Sequence, residues 1–180
     1  NVSSLYGLIA NAGIGGENQY GDQDRWQEII DTNLTGTYQT IQECLPLIKK
    51  DSAPFKKIII ISSILARLGV PGYSGYCASK AGLLGLTRSM AAEYSGDGIL
   101  VNALCPGWVD TDMAQEGLQG FADALKVSKD EAYKEAMKPV PLGKMSKPEE
   151  VAQLVAYLMS EEQTSFTGQT LDINNGALMP

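Results

Sequence analysis

Apolar and polar residues follow two rhythms along this chain. Four short stretches are nearly continuous in apolar or β-branched residues: Leu5–Ala10 (LYGLIA), Lys57–Ser62 (KIIIIS), Ile99–Leu104 (ILVNAL) and Gln169–Ile173 (QTLDI). Their length and bounding turn residues predict strands. KIIIIS is apolar on both faces, as a strand in a covered parallel sheet should be. Between these runs the apolar positions recur at three and four. From Arg25 to Lys50 they are Trp26, Ile30, Leu34, Thr37, Tyr38, Ile41, Leu45 and Ile48, which predicts one long helix with a buried stripe. From Ser74 to Tyr94, Leu83, Leu84, Thr87 and Ala91 do the same. A third helix is predicted from about Ser146. Ser146 and Glu149 have capping-box spacing, Pro148 falls in the first turn, and Val151, Leu154, Val155 and Leu158 supply the apolar face. Residues 112–141, with Gly117, Gly120 and a closing Pro-Val-Pro, read as less regular and lid-like.

Strands alternating with helices predict an α/β fold with a parallel sheet, built as a single partial domain over residues 1–180. If successive strands lie side by side, right-handed crossovers put the first two long helices on one face. The other face of KIIIIS is then expected to have little cover, and the first strand to remain an apolar edge. This layout is that of the C-terminal part of a doubly wound, Rossmann-like sheet with flanking helices.

Composition narrows the chemistry. Hydrophobic residues make up 44% and charged residues 19%, which suits a folded domain and not a disordered chain. The net charge of −7 speaks against a nucleic-acid partner. No apolar run approaches the roughly 20 residues that cross a bilayer, so no membrane partner is expected. Cys44, Cys77 and Cys105 are scattered and never form a CxxC pair; reduced thiols in a cytoplasmic protein are expected. The absence of histidine excludes Ser-His-Asp hydrolysis, histidine bases and histidine-ligated metals, and no metal is expected.

In open α/β sheets ligands bind beyond the carboxyl ends of the strands. Here the first strand runs into Asn11-Ala12-Gly13 and the second into Ser62-Ser63. The third runs into Cys105-Pro106-Gly107, with Thr111 just beyond. Tyr76 and Lys80 lie one turn apart at the start of the helix that follows the second strand. Asn33 lies inside an apolar stripe, where a buried amide needs partners. Singly, these are an ordinary turn, a strand end, a lysine stem along a helix and a core amide. Their conjunction, in order at successive strand ends, is not ordinary.

The stretches LIANAG (8–13), DTNLTG (31–36), IIIISS (58–63), YCASKAG (76–82), VNALCPGWVDT (101–111) and TGQTLDINNG (167–176) resemble the short-chain dehydrogenase/reductase family in its tyrosine-dependent, 3-oxoacyl reductase-like form. The resemblance runs essentially the whole length. It implies an oxidoreductase that moves a hydride between NAD or NADP and a secondary alcohol or ketone. Tyr76 takes the place of the family's general acid/base. A free phenol titrates near pH 10, and Lys80, with the cationic nicotinamide, is expected to lower that value. Ser63 matches the serine that holds the substrate oxygen. Asn33 matches the asparagine that holds a water leading to the lysine. Lys80 is expected on the nicotinamide ribose, and Asn11, Ala12 and Gly13 against the cofactor near its adenosine side. Pro106, Gly107, Val109 and Thr111 are expected around the nicotinamide and its phosphates. Leu65, Tyr73 and Trp108, with Ser63, form the implied substrate wall.

The family's glycine-rich turn for the cofactor phosphates is not found in this sequence, so roughly 70–80 further residues are expected upstream. Without them the chain is expected to bind cofactor poorly. The tail VPLGKMSKPEEVAQLVAYLMS is similar to that of 3-oxoacyl reductase-like members. Sugars, polyols, steroids and cyclic alcohols stay open as substrates. The alternative is an inactive scaffold module that keeps the fold without hydride transfer. A homodimer or homotetramer is expected from the wide apolar stripes of the two long helices.

Overall fold

A computed structural model describes residues 2–179. Strands β1 (Gly7–Ala10), β2 (Lys56–Ile61), β3 (Ile99–Pro106) and β4 (Thr170–Ile173) form one sheet in the order β1-β2-β3-β4, every pair parallel. Each predicted strand is present to within two residues at either end. β1 is an edge of this sheet, and Ile9 on it is 45% exposed.

The register sorts the strand side chains onto two faces. Ile58, Ile60, Val101, Ala103 and Cys105 point into a core shared with Ile41, Ile48, Leu83, Met90 and Ala91 of the two long helices. Ile59 and Leu104 point the other way, against Val155 and Leu158. The helix carrying those two residues, Pro148–Met159, therefore covers the face expected to lie open. This corrects the expectation drawn from right-handed crossovers. All three crossovers step in the same direction along the sheet, yet the third carries its helix on the opposite face, so the three cannot share one hand.

The first long helix is continuous but not uniform. It runs as α1 (Trp26–Ile30), a π-turn (Asp31–Thr35) and α2 (Gly36–Lys49), with right-handed helical dihedrals through both junctions. Its buried residues are Ile29, Asn33, Thr37, Ile41, Leu45 and Ile48, whereas Trp26 is 42% exposed. Ile29 to Ile48 is about five turns of 3.6 residues plus one residue, and the π-turn absorbs the extra one. A stripe read at constant α-helical period therefore picked Ile30 where Ile29 is inside.

α3 (Ser74–Tyr94) has the predicted limits. Residues 112–141 are more regular than their glycines suggest. They fold as α4 (Asp112–Leu125) and α5 (Lys129–Met137), with a small core of Ala114, Leu118, Met137, Val140 and Met145. Thr111 caps α4 and Ser128 caps α5, the latter through a reciprocal capping box with Glu131. α6 (Pro148–Met159) begins one residue later than the Ser146 spacing implied. Glu150 accepts from the Lys147 backbone N–H at 2.6 Å, and buried Ser146 instead ties Trp108 and Asp110 to the chain before α6. No helix of the described residues is long and apolar enough to cross a membrane.

Candidate active site

α3 is aimed by a residue far from it in sequence. Its own preceding residue, Tyr73, makes no side-chain cap. Asn18, from the loop after β1, caps it instead: its Oδ1 accepts from Gly75 N at 2.8 Å and Ser74 Oγ at 3.3 Å. The Asn18 Nδ2 donates to Asp24 at 3.0 Å, and its backbone N–H donates to Gly72 O at 2.7 Å. A Cβ at position 75 would lie 3.2 Å from that Oδ1, so glycine lets the cap approach. Sequence reasoning missed Asn18, which sits in a polar loop without periodicity or motif.

So aimed, the first turns of α3 present Tyr76 and Lys80 to the carboxyl end of β2. Lys80 is 5% exposed; its Nζ donates to Ile61 O, at the end of β2, at 3.0 Å and lies 5.6 Å from the Tyr76 ring centre. Ser63 leaves β2 in extended conformation, and its hydroxyl lies near enough to the Tyr76 phenol to act on its charge. The Ser63 Oγ also accepts the Leu65 N–H at 3.1 Å, which opens a 3₁₀ turn over Ile64–Ala66. The adjacent Ser62 has another task. Its hydroxyl donates to Lys80 O at 2.9 Å and braces the helix against the strand. Alternation along the strand separates the two serines.

Asn33 is fully buried, and its amide is engaged on all sides. Oδ1 accepts from Ile14 N at 2.8 Å, while Nδ2 donates to Ile14 O at 3.0 Å and Ser79 Oγ at 3.1 Å. It fastens the loop after β1 to both long helices. Gly13 lies in the same junction, where a Cβ would come 3.1 Å from Asn33 Oδ1 and 3.3 Å from Lys80 Nζ. Asn11 and Ala12 of the same turn are exposed.

Burial dominates the electrostatics. It pushes the Tyr76 phenol above its ordinary 10, with the nearby Ser63 hydroxyl pulling the other way and Cys77 adding a smaller upward push. Lys80 does not figure among the groups that shift the phenol. Its ammonium donates instead to the Ile61 carbonyl. Burial also brings Lys80 down to about 8, against a small upward pull from Cys105. Burial raises the Cys105 thiol, and a Ser62 hydrogen bond opposes it.

The remaining predicted residues surround this centre. Pro106 ends β3, and Gly107 donates its N–H to Ile173 O at 3.0 Å; a Cβ there would meet Asn174 at 3.0 Å. Trp108 leans on the α4–α5 core and Val109 bridges to Ser146. The Thr111 hydroxyl accepts from Ala114 N at 3.4 Å as a helix cap. Leu65 and Tyr73, both half-buried, flank the segment between Ser63 and Tyr76. Met113 of α4 reaches Gly15 after β1, where a Cβ would be 3.1 Å from its sulfur. The loop after β1 and the start of α4 thus approach each other.

Comparison with known proteins shows relatives of this chain and of its fold. A family model described as Enoyl-(Acyl carrier protein) reductase matches residues 1–177. The chain is 39% identical to the 3-oxoacyl-[acyl-carrier-protein] reductase FabG of Rickettsia typhi, over 99% of this chain and 69% of that protein. Its fold matches actinorhodin polyketide ketoreductase, solved with NADPH, at a TM-score of 0.89 and 33% identity, covering 97% of this chain and 67% of that one. A short chain dehydrogenase family protein from Francisella tularensis matches at 0.88 and 29%, covering 97% and 71%. The chain thus spans about two thirds of the length of each of these relatives. The chain belongs to the short-chain dehydrogenase/reductase family.

Proposed function

We propose that this chain carries the catalytic part of an NAD(P)(H)-dependent oxidoreductase that interconverts a secondary alcohol and a ketone, working here as a ketone reductase. One observation carries the reading: the half-buried Tyr76 beside the Ser63 hydroxyl, with the buried Lys80 one turn away at the end of β2.

The residues present fit a nicotinamide cofactor. Gly13 leaves open the space beside Lys80 that a Cβ would fill. An ammonium has three protons. Ile61 O takes one, which leaves two for ribose hydroxyls. When bound, the cofactor supplies the hydride, and the protein supplies orientation and the proton. Asn11, Ala12 and Gly13 face the cofactor from the end of β1. Pro106, Gly107, Val109 and Thr111 face it from the end of β3.

Ser63 Oγ accepts from Leu65 N, so its own proton is free to hold the substrate carbonyl oxygen. Tyr76 then gives its proton to that oxygen as negative charge develops. Burial keeps the phenol protonated, so it holds the proton that the reduction consumes. Lys80 holds the cofactor and stabilises the phenolate left behind. Asn33 serves by fastening Ile14, and with it the loop that carries Gly13. Leu65, Tyr73 and Trp108 line the substrate side. The 112–141 hairpin covers it as a lid, with Met113 over Gly15. The relatives' names point to a 3-oxoacyl thioester as substrate.

The test is Tyr76→Phe in the full-length protein, assayed with NADPH and a 3-oxoacyl thioester. Turnover should fall by about a hundredfold or more, while NADPH affinity stays within about twofold. Retention of near wild-type turnover sinks the assignment.

A further inference from the structure

We infer that Arg67 and Asp172 form a positioning pair that holds Ser63 in register with Tyr76, an inference that rests on the roles given to those two residues above. Arg67 lies just past the 3₁₀ turn that starts at Ser63. Ala66 N donates to Ser63 O at 3.0 Å, and Arg67 N donates to Ile64 O at 2.9 Å. Any displacement of Arg67 is therefore passed back through the turn to Ser63. Beyond it Leu68 and Val70 are each more than a third exposed, and Leu68 N returns to Ile64 O of the same turn at 3.1 Å.

The Arg67 side chain reaches across β3 to the edge strand. Its Nε lies 3.1 Å from Asp172 Oδ1, and an Nη donates to Thr170 O at 3.5 Å. Asp172 stands beside Cys105 in register, on the face that also carries Ile60. Its Oδ1 is buried and accepts no hydrogen bond among the described residues, so the Arg67 charge is the only compensation found for it there. The guanidinium is thus what neutralises that oxygen, and removing either partner leaves the other uncompensated. The two side chains are 29% and 18% exposed, so the contact is partly dehydrated and held more firmly than a solvent-exposed pair. The result is a strap from β4, over the end of β3, to the turn that sets the substrate-facing hydroxyl. Neither residue touches substrate or cofactor in this account; both act through Ser63.

The experiment compares Arg67→Gln, Asp172→Asn, their combination and the exchanged pair Arg67→Asp with Asp172→Arg. All are made in the full-length protein and assayed with NADPH and a 3-oxoacyl thioester. Each single variant should lose about ten- to a hundredfold in kcat, as misplacement of a catalytic group does, with NADPH affinity within about twofold. The double variant should be no worse than the weaker single one, and Arg67→Lys and the exchanged pair should recover most of the loss. Unchanged kcat in the single variants, losses that multiply in the double, or no recovery in either rescue overturns the pairing. So does a loss fully accounted for by unfolding at assay temperature, followed by circular dichroism. Tyr76→Phe in the same assay keeps the two ideas apart. If it turns over normally, the site reading fails; if it is silent while Arg67→Gln is normal, only the strap fails.

Discussion

Lys80 bears a charge in dry surroundings, and the sign of the consequence is fixed. Its folded value of about 8 lies below the ordinary 10.5. Below pH 8 the amine is charged in both states, and burial of that charge opposes folding. Between pH 8 and 10.5 the unfolded chain keeps a proton that the folded one has released, so this residue's contribution to stability rises with pH. Relative to Lys80→Met, the wild type should gain about 3 kcal/mol in urea unfolding between pH 7 and pH 11. A difference that stays flat across that range contradicts the buried-amine account. At this scale the site was largely legible. Tyr76, Lys80, Ser63 and Asn33 stand at strand ends and helix faces, where spacing gives each a direction. Asn18, Met113 and the Arg67–Asp172 pair were not legible, since each acts on residues distant in sequence across a loop or the sheet edge.

Among the elements, the contact between the π-turn and α3 decides how closely the two long helices meet. A Cβ at Gly82 would come 2.8 Å from Leu34 Cδ2, whereas one at Gly85 would meet nothing within 4 Å. Two substitutions of the same kind should therefore differ in sign. Gly85→Ala should stabilise by about 0.5–1 kcal/mol, as alanine does in a helix interior. Gly82→Ala should destabilise by about 1–3 kcal/mol through overpacking. Thermal unfolding of the pair measures both, and equal shifts would refute the close contact. The strands were readable because apolar runs bounded by turn residues leave few alternatives. Residues 112–141 were misread because Gly117 and Gly120 look like helix breakers. In α4, however, a Cβ at 117 would only reach ordinary contact with Trp108, and one at 120 would meet nothing, so glycine there is tolerated rather than needed.

For the whole molecule, the first long helix leaves two aromatic side chains outside, with Trp26 42% and Tyr38 47% exposed. Such residues are favoured at interfaces between copies. Size-exclusion chromatography of the full-length protein at micromolar concentration should give a dimer or larger, and a monomer would count against self-association. The crossover rule predicted the placement of the first two helices together. It failed for the third, whose helix covers Ile59 and Leu104 with Val155 and Leu158 on the opposite face.

That reversed third crossover divides the molecule's durability. The core between the sheet and the two long helices is closed by residues no later in the chain than Cys105. α6 and β4 join it from the opposite side, at the sheet's edge. Their release would bare Ile59 and Leu104 and free the buried Asn102 amide from Phe166 and Gln169, while the core under α3 keeps its own residues. Backbone amides of β4 and α6 should then exchange with deuterated solvent through a partial opening, well before those of β2, β3 and α3. The strand that carries Asp172 would be the first part of the sheet to loosen as denaturant is added.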